Sequence, residues 1–437
     1  MRAHHSLPRL ISAALLVSGG AAVYAQPLYP TQQILDPNPA PGNEFGKTVA
    51  IGDGILAISA PGDDTVATDA GAVHLFSRQG QTWIYDTTIY PIDGRPGDAF
   101  GTSMSLEGSR LIIGHPSCDI YGDNAGLAVI YRHHDGAWSA EQILVSPMPN
   151  EQQAFGATVA ICGDLALVDS ALPLCIYHNI SGTWMHQQTI QGTGGFGSSL
   201  SIDPSAAAFA VRDSSPDIRV FRFNGLASAW KAVANIKPPQ AGASHSARFS
   251  LDGTRLASRV FVPTVGSHVA VYQNNAGNDW TSIATFNYGN PASNFGSTLK
   301  LRGDVIIAGD SLADTASSTS GPASYARLSG AAWTQAAQLR TPDWLPADQA
   351  HVTDFHADTA VVGAPGDAVN GITSGAAYLF TLTCAGDFDH SGFVDTDDFD
   401  AFINTFIDAD PAADVDHSGF VDTDDFTFFV HQFELGC

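Results

Sequence analysis

Apolar and polar positions along most of this chain alternate with a period of two, in short runs broken by glycine and proline. Thr48–Ile51 and Ile55–Ser59 alternate or run apolar on either side of the turn Gly52-Asp53-Gly54, and Val73–Phe76 makes a third strand. A fourth strand, carrying a Trp and a Gln-x-Leu-type run, is legible in Trp138…Gln142-Ile143-Leu144. From Phe45 to Phe380 the pattern recurs as seven unequal units of about fifty residues. Phe-Gly opens units at Phe45, Phe100, Phe155, Phe196 and Phe295; a worn fifth unit begins near Ala247, and the seventh carries VVGAPGD at Val361–Asp367 without a Phe-Gly. Seven units of four short strands predict a mainly β chain, a seven-bladed β-propeller. The seventh unit stops after its third strand, and Gln32-Gln33-Ile34-Leu35 resembles Gln142-Ile143-Leu144. The N-terminal strand is therefore expected to complete the last blade and close the ring, which removes exposed strand edges.

The period changes to 3.6 in the last 54 residues, Cys384 to Cys437. Phe399, Phe402, Ile403 and Phe406 share one helical face, as do Phe426, Phe429, Val430 and Phe433, so a small all-α unit of two packed helices is expected. Ahead of each helix runs the same eleven-residue stretch, DHSGFVDTDDF, at Asp389–Phe399 and again at Asp416–Phe426. Each copy lies in a twelve-residue loop that reads as an EF-hand-type calcium site. The first loop offers Asp387, Asp389, Ser391, the Phe393 carbonyl, Asp395 and Asp398; the second offers Asp414, Asp416, Ser418, the Phe420 carbonyl, Asp422 and Asp425. Calcium takes six to eight oxygens, and alternate residues of a tight loop with glycine at position 6 (Gly392, Gly419) can aim that many at one point. Two calcium ions are expected.

Composition sharpens the division of the chain. The formal charge is −25, and residues 384–437 carry 14 acidic groups with no Lys or Arg. An excess of that sign argues against nucleic acid or an anionic membrane surface as partner. Arg2 and Arg9 flank a short polar start, Ile11–Val23 is apolar, and Val23-Tyr24-Ala25 reads as a small-residue cleavage site before Gln26. Residues 1–25 are thus expected to be an export signal, and the protein to work secreted or attached to a cell surface; no stretch is long and apolar enough to span a membrane. Five cysteines in an exported chain permit disulfides. A bridge between Cys384 and Cys437 would close the two ends of the tail, worth about 4 kcal/mol on a loop-entropy argument. Cys162 and Cys175 could clip neighbouring strands, which leaves Cys118 over; the sequence proves none of these pairings.

The repeated units, with Phe-Gly in five of seven and Gly-Ala-Pro or a variant in several, resemble FG-GAP repeats, the blade unit of integrin-α-type propellers. The resemblance covers the units from Phe45 to Phe380, and the propeller domain is expected over residues 26–383. The calcium loops of some integrin blades have no counterpart here; Asp63, Asp64 and Asp367 are the nearest carboxylates. Loop–helix twice over, with Asp at loop position 12, resembles a dockerin type I domain across residues 384–437, and the closing Gly436-Cys437 with Cys384 narrows this to the GC-type dockerin. Ser391 and Ser418 stand where Asp or Asn is usual, which keeps an oxygen but removes a charge. That resemblance implies calcium-dependent folding and docking on a cohesin-like receptor or surface-anchor protein, with Thr396, Asp397, Thr423 and Asp424 as partner-binding positions duplicated between the two halves.

Chemistry beyond calcium is sparse. The chain has no His-Glu-x-x-His, nucleophile elbow or phosphate loop. His133-His134, read as a turn, and His351/His356 are weak metal candidates, Ser228-Ala-Trp-Lys231 is a bare spacing match, and each unit's Trp reads as packing between blades rather than as a carbohydrate platform. The expectation is an exported non-catalytic binding or structural propeller, with a protein or glycan ligand, anchored through a calcium-dependent dockerin-like tail. The alternative is a secreted polysaccharide-degrading hydrolase, or its accessory subunit, carried by the same tail; it would need a carboxylate pair about 5–10 Å apart.

Overall fold

The structure, a computed structural model, describes residues 26–80, 82–170, 173–192, 200–203, 205, 208–212, 216–263, 265–275, 278–287, 294–310, 323–329, 332–340, 352–368, 372–382, 386, 388, 396–415 and 420–435. Seven antiparallel sheets follow one another along the chain and form a seven-bladed propeller. The innermost strands are Val49–Gly52, Ser103–Glu107, Val159–Cys162, Leu200–Ile202, Ser244–Asp252, Phe295–Arg302 and Val352–His356. Six of them, all but Leu200–Ile202, turn into the second strand of their blade through a two-residue hairpin. Gly163, Gly253 and Gly303 hold a positive φ of 54–56° at these turns, the backbone that a two-residue hairpin requires.

The ring closes with the N-terminal strand. Gln32–Leu35 pairs antiparallel with Ala376–Thr381, Gln32 opposite Leu379 and Leu35 opposite Ala376, as the outermost strand of the seventh blade. A further strand departs from the four-per-blade expectation. Gln26–Leu28 runs parallel to Ala332–Leu339 and gives the sixth blade a fifth, outer strand. Two successive N-terminal strands therefore bind two successive blades across the closure.

Seven apolar cores lie one between each pair of neighbouring blades. The Phe-Gly motif sits at these seams. Phe45, Phe100 and Phe155 are fully buried, and their N–H groups donate to Ser374, Ala70 and Ala125 carbonyls of the preceding blade. Gly46 follows at φ +91°, where a Cβ would stand 2.4 Å from the Ala376 carbonyl oxygen. Only glycine permits that approach of two backbones.

The outer strands are stitched by glutamines. The Gln32 side chain donates to the Trp83 carbonyl and accepts from the Trp83 N–H, both at 2.8 Å; Gln142 does the same to Trp184, and Gln188 to Trp230. The Trp83, Trp184, Trp230 and Trp333 rings are buried beside these seams, as packing residues.

Two local expectations are corrected. Cys162 lies opposite Leu165 at one end of its hairpin, whereas Cys175 lies opposite Val168 at the other, with the strand Leu165–Val168 between them. That register is too far apart for a disulfide, and both cysteines are reduced and buried, as is Cys118. His133 and His134 end the strand Leu127–His134 rather than forming a turn; His133 packs on Trp138 and His134 contacts Asp135.

In the C-terminal region two helices follow, α1 (Thr396–Ile407) and α2 (Thr423–Leu435). The apolar spacing predicts this pairing. Phe402 and Phe429, equivalent in the two halves, stack with ring centroids 3.9 Å apart and planes 12° apart, and Phe388 stands edge-on to both. No described helix is long and apolar enough to cross a membrane.

Candidate functional site

Two places concentrate polar chemistry: the central channel of the propeller and the N-terminal turns of α1 and α2. In the channel, side chains of one innermost strand reach the backbone of the next. The Leu251 N–H donates to Ser201 at 2.8 Å, Ile161 N–H to Ser105 at 3.2 Å, and Ile51 N–H to Asp354 Oδ2 at 3.3 Å. One turn further, Gly163 N–H donates to Glu107 and Gly253 N–H to Asp203, each at 3.2 Å. These bonds satisfy inner-edge amides that would otherwise face the lumen unpaired.

The lumen holds a cavity of about 460 Å³ toward one end and about 380 Å³ toward the other. The wider end carries Lys47, Arg248 and Lys300 against Asp354. Arg248 is exposed to the lumen, and the protein around it lowers its pKa by desolvation. Lys300 Nζ lies 3.1 Å from Asp354 Oδ1, and Arg302 3.7 Å from the same oxygen. The other end mixes signs: Asp53 and Glu107 with Arg302 and His356, whose Nε2 is 3.2 Å from Asp53.

Buried titratable groups cluster at the blade seams. His74, against Asp36 and Asp63, and His115, 3.2 Å from Asp98, are both held below the usual histidine range by desolvation, partly offset by those carboxylates. Asp169 is fully buried and neither carboxylate oxygen has a hydrogen-bond partner of normal geometry. Burial pushes its pKa up to about 7, with the nearby Ser170 N–H offsetting only part of that. Of the blade carboxylates singled out in sequence, Asp63 is buried and accepts the Thr65 N–H, Asp367 is buried and accepts the Tyr378 hydroxyl, and Asp64 accepts the Asp69 N–H.

The predicted calcium ligands are described in part. Asp387, Asp389, Ser391, Phe393, Asp395, Asp416 and Ser418 lie outside the described residues, as do Cys384 and Cys437. Among the described residues no group of three or more His, Cys, Asp or Glu side chains stands ready to hold a metal. The two residues at loop position 12, Asp398 and Asp425, are 0 % exposed in the first turns of α1 and α2. Asp425 accepts the Asp422 N–H at 2.9 Å, Asp424 N–H donates to Asp422 Oδ1 at 2.8 Å, and Asp414 Oδ1 is screened from solvent. Carboxylate oxygens are the donor type that a hard divalent ion takes. Phe420, whose carbonyl is the expected contribution, is 74 % exposed. Thr396, Asp397, Thr423 and Asp424 are all exposed at the starts of the helices.

Sequence reasoning missed the cationic wall of the channel. Its residues come from three blades, Lys47 from the first, Arg248 from the fifth and Lys300 from the sixth, and no local motif joins them.

The FG-GAP repeat family model matches residues 30–76. No curated protein matches the chain. Among solved structures, a protein from Lactobacillus plantarum aligns at 15 % identity and TM-score 0.48, over 67 % of this chain and 84 % of that one. The periplasmic gluconolactonase PpgL of Pseudomonas aeruginosa aligns at 11 % identity and TM-score 0.47, over 67 % and 85 %.

Proposed function

We propose that the protein is an exported, non-catalytic binding propeller, held at its place of action by a C-terminal dockerin-like module of residues 384–437 that binds two calcium ions and docks on a cohesin-like receptor or surface-anchor protein. The observation that carries the anchor is the pair of buried carboxylates, Asp398 and Asp425, at the same position of two loops that differ at one residue, Phe388 against Val415. When bound, calcium supplies the positive charge that lets 14 acidic groups share 54 residues. Asp387, Asp389, Ser391, Asp395 and Asp398 would hold one ion with the Phe393 carbonyl. Asp414, Asp416, Ser418, Asp422 and Asp425 would hold the other with that of Phe420. The exposed Thr396-Asp397 and Thr423-Asp424 pairs offer the receptor two equivalent faces. The FG-GAP match at residues 30–76 and the closed ring support a binding or structural role for the propeller.

Calorimetric titration of the full chain with calcium tests the anchor. Two ions per chain are expected, with one lost in Asp398→Ala and one in Asp425→Ala. A chain that takes up no calcium, or variants that keep both ions, would sink the reading.

A further inference from the structure

The wider end of the channel is built differently from the rest of the molecule. The chain as a whole carries −25, yet the described residues lining this end set Lys47, Arg248 and Lys300 against one carboxylate, Asp354. That carboxylate is already engaged. Its Oδ1 accepts the Phe355 N–H at 2.9 Å and faces Lys300, while Oδ2 accepts the Ile51 N–H. It is 11 % exposed, whereas Lys300 is 33 % exposed. Lys47 is paired with Glu44 at 3.1 Å and Lys300 with Asp354, so three cations face two carboxylates here: an entering cation meets occupied carboxylates and an entering anion meets a net positive wall.

The neutral part of the wall adds donors. The Ser105 and Ser201 hydroxyl oxygens accept backbone N–H groups, which leaves each O–H to donate. Walls of low dielectric around charges of one sign focus their field on the lumen. Guanidinium and ammonium groups pair with carboxylate and phosphate oxygens by charge-assisted hydrogen bonds. About 460 Å³ suits a ligand of small-molecule size.

We propose that the wider end of the central channel binds an oxyanion, a carboxylate or phosphate group on a small ligand, with Arg248 and Lys300 as its cationic contacts. The inference rests on reading the propeller as a binding module and supplies the ligand class which that reading leaves open.

Titration calorimetry of the full chain at low ionic strength, with inorganic phosphate, citrate and a uronic-acid trisaccharide as separate probes, tests it. Saturable binding of at least one probe is expected, weakened about tenfold or more in Arg248→Gln and in Lys300→Gln, and unchanged in Arg95→Gln, whose ion pairs with Asp93 and Asp119 lie away from the channel. Which probe binds separates a phosphate from a carboxylate head group. Lys300 also holds Asp354, so if Lys300→Gln does not fold, Arg248→Gln decides. No saturable binding of any probe, unchanged binding in the channel variants, or an equal loss in Arg95→Gln would overturn the proposal. The calcium titration reads only the tail, so failure of either experiment leaves the other result standing.

Discussion

The propeller and the C-terminal region solve the problem of burying a core in opposite ways. The propeller spreads its apolar surface over seven seam cores and closes the ring with strands from the N-terminal end. Every blade is supported from both sides, and each carries hydrogen-bonded stitches or buried aromatics at its seams. Among the described residues the C-terminal region has one core, whose fully buried members are Phe402, Ala413 and Phe429. Below about 70–80 residues a single core rarely supplies more than a few kcal/mol, and here it must also hold 14 like charges together. A large closed repeat can be stable by packing alone, whereas a small acidic unit has less packing to set against its own charge.

Calcium removal would give the largest effect on this contrast. With chelator the full chain should lose the helical signal of α1 and α2 while the β signal and its melting transition stay unchanged; far-UV circular dichroism and scanning calorimetry report the two separately. Loss of both together, or of neither, would erase the distinction. Next in size, Phe100→Ala should destabilise the propeller by about 3–5 kcal/mol, because a fully buried ring at a seam leaves a cavity, and it should leave calcium uptake by the tail untouched. Denaturant unfolding monitored by tryptophan fluorescence measures it.

The smallest effect is a gain. Asp169 is protonated more readily in the folded chain than in the unfolded one, since burial raises its pKa to about 7. The unfolded chain loses that proton near the ordinary carboxylate range while the folded chain keeps it. Stability is therefore highest below that range and falls as pH rises toward about 7, beyond which the loss is complete. Asp169→Asn removes the ionisation and should stabilise the propeller at pH 8 by on the order of 1–4 kcal/mol, with little change at pH 4. An unchanged difference between the two pH values would show that the carboxyl is solvated in the folded chain.

Local pattern was sufficient for much of this architecture. Period-two runs with glycine turns predict the strands, the repeated Phe-Gly marks the seams, and Gln32-Gln33-Ile34-Leu35 reads as the missing outer strand because it resembles Gln142-Ile143-Leu144; in the fold Gln32 stitches Trp83 as Gln142 stitches Trp184. Helical spacing likewise places Phe402 and Phe429 on facing stripes. The added strand Gln26–Leu28 was not legible, since three residues carry too little periodicity to be told from a linker. The cysteines misled for a related reason: proximity in sequence says nothing about register, and register puts Cys162 and Cys175 at opposite ends of the intervening strand.

By itself, then, the sequence determined what repeats: seven β units, one acidic doubled motif, and the order in which they come. Those features are set by spacing between near neighbours, and near neighbours are where backbone geometry acts first. Tertiary structure alone decided what converges. Lys47, Arg248 and Lys300 are separated by up to 253 positions (300 − 47), and they share one lumen only because the seven innermost strands close into a ring. Asp169 is an ordinary acidic residue in the chain and a fully buried carboxyl in the fold, because burial is a property of the assembled seam and of no single strand.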